Sequence, residues 1–218
     1  MTEQPSNKTD QVYTLLEDMI TFQDLAPGDA VSESQLMART GFGRTPVREA
    51  LQRLARERMV EIHPHRGVFV APVSVEGHFR LLELRRGLEE MAVRFATFRA
   101  QTGQKEQMLA LAAELDSFTG TDVRAFGALL KQSHAVIVAA AHNEYLQLAM
   151  SPLQALSRRF WFAHLPDVAE HLRIAADRHA RILRAVAHGD ETAAVAAGLV
   201  LNDYLTDLTY AALGRPGP

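Results

Sequence analysis

Apolar positions recur at spacings of three and four along most of this chain, and the pattern changes in one stretch near its start. Val12, Leu15, Leu16, Met19 and Ile20 predict a first helix over about 9–22, which Pro27-Gly28 breaks off. Ser32 and Gln35 have capping-box spacing and open a short second helix through "SESQLMART". Gly41-Phe42-Gly43 is a tight turn. A third helix runs from Pro46 to about Arg58, capped by Thr45 and burying Val47, Leu51 and Leu54. The period then drops to two: Val60 and Ile62, then Val68 and Val70, predict two short strands joined by a turn at 63–67. Three helices followed by a two-stranded wing make a winged helix-turn-helix over residues 10–73, after a disordered start at 1–9.

No strand pattern survives beyond Val73. Helical spacing predicts elements near 75–100, 104–118, 122–141, 143–164 with a bend at Pro152, 167–188 and 190–213, with a stop and restart at Gly189-Asp190. The fold class is therefore mainly α. A bundle of about six helices occupies 74–213 behind the winged domain, and 214–218 forms a tail. Three stripes stand out in it. Leu81, Leu84, Leu88, Met91 and Phe95 form an apolar seam. Leu130, His134, Ile137 and Ala141 form a second, and Ala175, His179, Ile182 and Val186 a third, so two histidines face the bundle interior from different helices. A lone interior histidine is ordinarily a hydrogen-bonded core residue; two on facing stripes raise the case for a pocket.

Composition narrows the chemistry. There is no cysteine, which excludes disulfides, thiolate zinc sites and cysteine nucleophiles. No signal-like or membrane-length apolar run is present, so a cytoplasmic protein without membrane contact is expected. H-E-x-x-H, G-x-S-x-G and the phosphate-cradling glycine loop are absent, which argues against an enzyme. The net charge is −3, yet residues 35–67 carry seven arginines against three glutamates. That basic island includes "GRTPVREAL", where Arg44 and Arg48 flank the mouth of a helix whose N-terminus is already positive. An anion from outside the chain would resolve the conflict. In a helix-turn-helix this is the tip that enters the major groove, and arginine can grip guanine through two hydrogen bonds. Arg44, Thr45 and Arg48 are thus candidate DNA contacts, with His65, Arg66 and Gly67 at the wing tip. A winged helix that docks a protein instead is the competing reading.

The segments "PGDAVSESQL", "RTPVREALQRL" and "RGVFV" resemble the DNA-binding domain of the GntR family of bacterial transcription regulators. Family members usually carry serine where this chain has Gly43. "ELRRGLEEMA", "HAVIVAAAHNEYL" and "RHARILRAVAHGDETAA" resemble the ligand-binding domain of its FadR subgroup, an antiparallel helical bundle. The resemblance implies a ligand-responsive regulator, commonly a repressor, acting as a homodimer on a short palindromic operator. It also implies a divalent metal held by Asp-x-x-x-His and two later histidines. His134 and His179 match two of those ligands, while Leu130 and Leu201 stand at the other two, so the expected metal is weak or lost. Asn202, beside Leu201, points about 100° away on a helix and offers no rescue. Family effectors are small organic or acyl acids, and a carboxylate wants an arginine. Arg85 or Arg86, and Arg158 or Arg159, are the candidates. Leucines in place of metal ligands favour a more hydrophobic acid.

Overall fold

The computed structural model describes residues 7–214, and the chain divides at Ser74 and Val75 into two compact units. In the first, α1 (Lys8–Thr21) precedes α2 (Glu33–Thr40) and α3 (Arg44–Arg56). Residues 1–6 of the expected disordered start lie outside the described residues, but 7–9 are ordered: Asn7 caps α1 by accepting from the Asp10 N–H at 3.0 Å. Ser32 and Gln35 form the capping box of α2, and Gly41, at φ 75°, ends it.

The start of α3 differs from expectation. Its cap is Gly43, and Thr45 lies inside the first turn. Pro46 is therefore the third helical residue rather than the first. It fits there because the first N–H groups of a helix have no partner within it.

The wing pairs β2 (Val60–His63) with β3 (Gly67–Val70), antiparallel, with Val60 opposite Val70 and Ile62 opposite Val68. A third strand, β1 (Ala30–Val31), joins the other edge of β3 and makes the order β1-β3-β2. Two residues carry no readable alternation, so the sequence gives no warning of it. Val12, Leu16, Ile20, Leu36, Val47, Leu51, Leu54, Met59 and Val70 fill the core beneath. Arg53 stacks 3.7 Å from the Tyr13 ring and reaches Glu57 at 3.1 Å, while the Tyr13 hydroxyl donates to Glu57, which ties α1 to α3.

The second unit is six helices: α4 (Val75–Arg99), α5 (Thr102–Ser117), α6 (Val123–Ala140), α7 (Glu144–Ala163), α8 (Val168–His188) and α9 (Glu191–Ala212). Asp122, Asn143, Asp167 and Asp190 cap α6 to α9 through their side chains, and Gly189, left-handed at φ 77°, separates the last two. Pro152 sits inside α7, which is helical on both sides of it. Both histidine stripes point inward as expected.

The seam on α4 does not. Its buried face holds His78, Leu82, Arg85, Glu89, Ala92, Val93 and Ala96. Leu84, Met91 and Phe98 are 56%, 43% and 71% exposed, and Leu81, Leu88 and Phe95 lie half-buried between them. A hydrophobicity reading picks the wrong face because four polar residues, His78, Arg85, Glu89 and Thr97, occupy the right one.

Gly43 makes no side-chain cap bond, and a Cβ there meets nothing within 4 Å. Gly43→Ser should therefore stabilise the winged unit by a few tenths of a kcal/mol, read from urea unfolding midpoints.

Candidate functional sites: a basic helix tip and a buried histidine cavity

On α3, Val47, Ala50, Leu51 and Leu54 face the core, which turns Arg44, Thr45 and Arg48 outward into solvent. The positive helix end has an anion inside the chain. Glu33, in the first turn of α2, lies 3.3 Å from Arg48 Nε and 4.0 Å from Arg44 Nε. This corrects the inference that only an outside anion could balance the tip. An ion pair this exposed is weak, so what it fixes is orientation. The arginine side chains remain 73% and 59% exposed.

At the wing, His65 adopts φ 63° and Gly67 φ 98°. Such a turn favours glycine, and the Val31 carbonyl lies 3.8 Å from where a Cβ would stand. The tight turn projects His65 and Arg66 as exposed side chains. Arg66 lies 6.0 Å from the Phe69 ring centroid.

The bundle holds a small cavity of about 20 Å3, room for about one water. Arg85 of α4, Leu130 and His134 of α6, Ser157, Arg158 and Trp161 of α7, Ala175 and His179 of α8, and Leu201, Tyr204 and Leu205 of α9 line it. Five helices thus deliver residues to one point. His134 and His179 meet there with their Nε2 atoms 3.2 Å apart. Arg158 Nη1 lies 3.2 Å from His134 Nδ1, and His179 Nδ1 lies 2.8 Å from the Ala175 carbonyl. Arg85 is buried beside them and bonds Glu89 at 3.1 Å.

The expected residues sort cleanly. Arg85 and Arg158 belong to the cavity wall. Arg86 bonds Asp203 at the surface, and Arg159 is buried outside the wall. Asn202 donates to the Gly198 carbonyl and does not line the cavity.

Five participants escaped the sequence reading: Tyr204, His171, Ser157, His78 and Thr209. The Trp161 indole donates to the Tyr204 hydroxyl, 2.7 Å from His171 Nδ1. Ser157 donates to His78 Nε2 at 3.2 Å, and His78 Nδ1 donates to Thr209, whose own hydroxyl goes to the Leu205 carbonyl. Ser157, His78 and Tyr204 come from separate helices and share no motif, so only the fold brings them together.

A tightly held divalent ion does not fit this donor set. Two imidazoles are present, Leu130 and Leu201 are apolar walls, and two guanidinium groups stand beside them. Among the described residues no three histidines, aspartates or glutamates converge to hold a metal. Stripped of solvent, each imidazole resists protonation, and neighbouring Arg85 adds repulsion. His179 is held down at about 4, His78 at about 3, and His134 well below the usual range.

Two family models match the chain. Bacterial regulatory proteins, gntR family, matches residues 8–70, and the FCD domain matches 80–201. An uncharacterized HTH-type transcriptional regulator in an unstable DNA locus of Streptomyces ambofaciens is 45% identical over 69 residues, spanning 32% of this chain and 29% of that protein. The galactonate operon transcriptional repressor of Escherichia coli K12 is 26% identical, covering 89% of this chain and 93% of its own. Among solved structures, E. coli McbR/YncC superposes with TM-score 0.76 at 19% identity, over 95% of this chain and 99% of that one, a likeness of fold.

The buried imidazoles set a pH dependence. Unfolded, they titrate near 6.5, whereas folded they stay neutral. Their contribution is complete above about pH 6.5 and declines as pH falls toward the folded values, since only the unfolded chain takes up protons. Urea midpoints should drop between about pH 6.5 and 5, and His134→Gln/His179→Gln should flatten that slope.

Proposed function

The chain belongs to the gntR family of bacterial regulatory proteins, with an FCD domain behind its winged helix, and from that premise we propose that it is a repressor lifted from its operator by a small organic acid. It is a DNA-binding transcription regulator and not an enzyme. The operator-reading side chains in this proposal are Arg44, Thr45 and Arg48, with His65, Arg66 and Gly67 following the phosphates or minor groove from the wing. The carrying observation is the exposed α3 tip, where the helix buries one face completely and holds two arginines and a threonine outward. Within reach of a guanine, each arginine can exchange its ion pair with Glu33 for two hydrogen bonds to O6 and N7.

The protein acts as a homodimer on a palindromic site, because one recognition helix reads too few bases for genomic selection. The apolar stripe on α4 supports this. Its spacing is symmetric about its own middle, so an antiparallel second copy sets Leu81 against Phe98, Leu84 against Phe95 and Leu88 against Met91.

The effector occupies the bundle cavity. Arg85 and Arg158 bind its carboxylate, the His134–His179 pair borders it, and Leu130, Leu201 and Leu205 hold its apolar part. Room for about one water means that the helices must part to admit even a small acid. Binding therefore selects a different bundle arrangement, which is the lever a regulator needs.

DNA fragments selected from a random pool should share a two-fold motif and lose affinity steeply with salt. Arg48→Ala should weaken binding to that motif by roughly 1–3 kcal/mol with unchanged circular dichroism. Binding that ignores both salt and the substitution would fit a protein-docking winged helix instead. For the cavity, acetate, propionate and benzoate should raise the melting temperature of the wild type, and Arg85→Met should abolish the shift.

A further inference from the structure

The cavity's histidines are placed as metal ligands usually are, nitrogen to nitrogen at its centre, and what they do there depends on which nitrogen carries each proton. The partners decide it. The Ala175 carbonyl can only accept, so His179 keeps its proton on Nδ1 and presents a lone pair at Nε2. Arg158 can only donate, so His134 Nδ1 must be the acceptor and its proton must sit on Nε2. The 3.2 Å contact between the two Nε2 atoms is then a hydrogen bond from His134 to His179. Every ring nitrogen in the pair is used.

A metal needs the opposite. A ligating histidine offers one nitrogen to the ion and donates its other N–H to an acceptor, which fixes the ring. For His134 to offer Nε2, its proton would have to move to Nδ1. There it would confront the N–H of Arg158, donor against donor, in a buried site. Arg158 therefore opposes metal binding through hydrogen-bond logic as well as charge.

We propose that Arg158 stands in for the metal of this bundle: its guanidinium locks His134 as the Nε2–H tautomer, one proton joins His134 to His179 where an ion would sit, and an anionic effector is bound on guanidinium with no ion between. The last clause rests on the effector reading above; the tautomer lock does not. Its chemistry sets the class of ligand, a carboxylate or other small oxyanion that accepts hydrogen bonds, in preference to a chelating acid that needs a metal to bridge it.

The decisive measurement is on the full chain without ligand. Long-range proton–nitrogen NMR of labelled imidazoles should show His134 protonated on Nε2 and His179 on Nδ1. A proton on Nδ1 of His134 overturns the proposal. Titration with zinc and with nickel should leave the wild type without a saturable site, and one tightly held ion per chain also overturns it. Restoring the two missing donors, Leu130→Asp with Leu201→His, tests the lock itself. Adding Arg158→Met to that pair should tighten zinc binding by about 10–100-fold, and equal affinity with and without Arg158 overturns the proposal. Wild-type stabilisation by acetate, propionate or benzoate should persist in EDTA, and its loss there refutes binding without an ion. If none of the three acids stabilises the protein while the tautomers are as stated, the effector reading fails and the lock stands.

Discussion

A guanidinium cannot be buried alone, and the helical unit is arranged around that constraint. Arg85, Arg158 and Arg159 are each more than nine-tenths removed from solvent, in the company of His78, His134 and His179. Desolvating such groups is costly unless hydrogen bonds replace the lost water. Glu89 answers Arg85 one turn along the same helix. His134 answers Arg158 by keeping a lone pair at Nδ1, and that choice passes to His179 and ends at the Ala175 carbonyl. One arginine thus dictates the protonation pattern of two helices besides its own. The neutral state of the imidazoles follows from the same burial, so the network is a set of oriented dipoles around fixed charges.

Packing and polarity are joined on α4. Its inward face carries Arg85, Glu89 and His78 among small apolar residues, and its outward face carries leucines, a methionine and phenylalanines. This blurs the ordinary amphipathic division, because polar groups sit inside and apolar ones outside on the same helix. A Cβ placed on Gly198 of α9 would stand 3.8 Å from the Glu89 side chain, an ordinary contact, so α9 runs beside the Arg85–Glu89 pair. The self-symmetric row on this 25-residue helix is the surface that the proposed second copy would cover.

These features divide the legible from the illegible. The winged unit could be read from the sequence because its signals are local: a capping box at Ser32, glycines at 41 and 43, a change of period after Arg58. The six bundle helices were equally plain, since Gly189-Asp190 and the capping asparagine and aspartates mark their ends. What failed did so for physical reasons. Thr45 looks like a cap, but proline tolerates the whole first turn, so Pro46 leaves the starting residue ambiguous. β1 is stabilised only by pairing with β3 and has no pattern of its own. The α4 stripe misled because burial there follows hydrogen bonding rather than hydropathy. In the cavity, His134 and His179 were visible as stripe residues, whereas Ser157, His78 and Tyr204 converge only through tertiary contacts.

The size of the cavity bears on how such a protein responds. With room for about one water, the cavity at His134 and His179 is too small as it stands for an organic acid. For an effector bound there as proposed, the bound arrangement is a minor state when ligand is absent, and apparent affinity is reduced by its rarity. That cost is the source of regulation, because a ligand equally at home in both arrangements shifts nothing. The relay from Ser157 through His78 to Thr209 places α4's first turn, at the very start of the helical unit, in the same hydrogen-bonded system as the cavity wall. Opening the wall at α7 must either carry His78 along or break a buried hydrogen bond. The second course is expensive, so ligand entry and the position of α4's first turn are not independent variables. A charge held by an arginine suits this design better than one held by an ion. The guanidinium joins α7 to α6 through one hydrogen bond, whereas a metal would cross-link several helices and resist their parting.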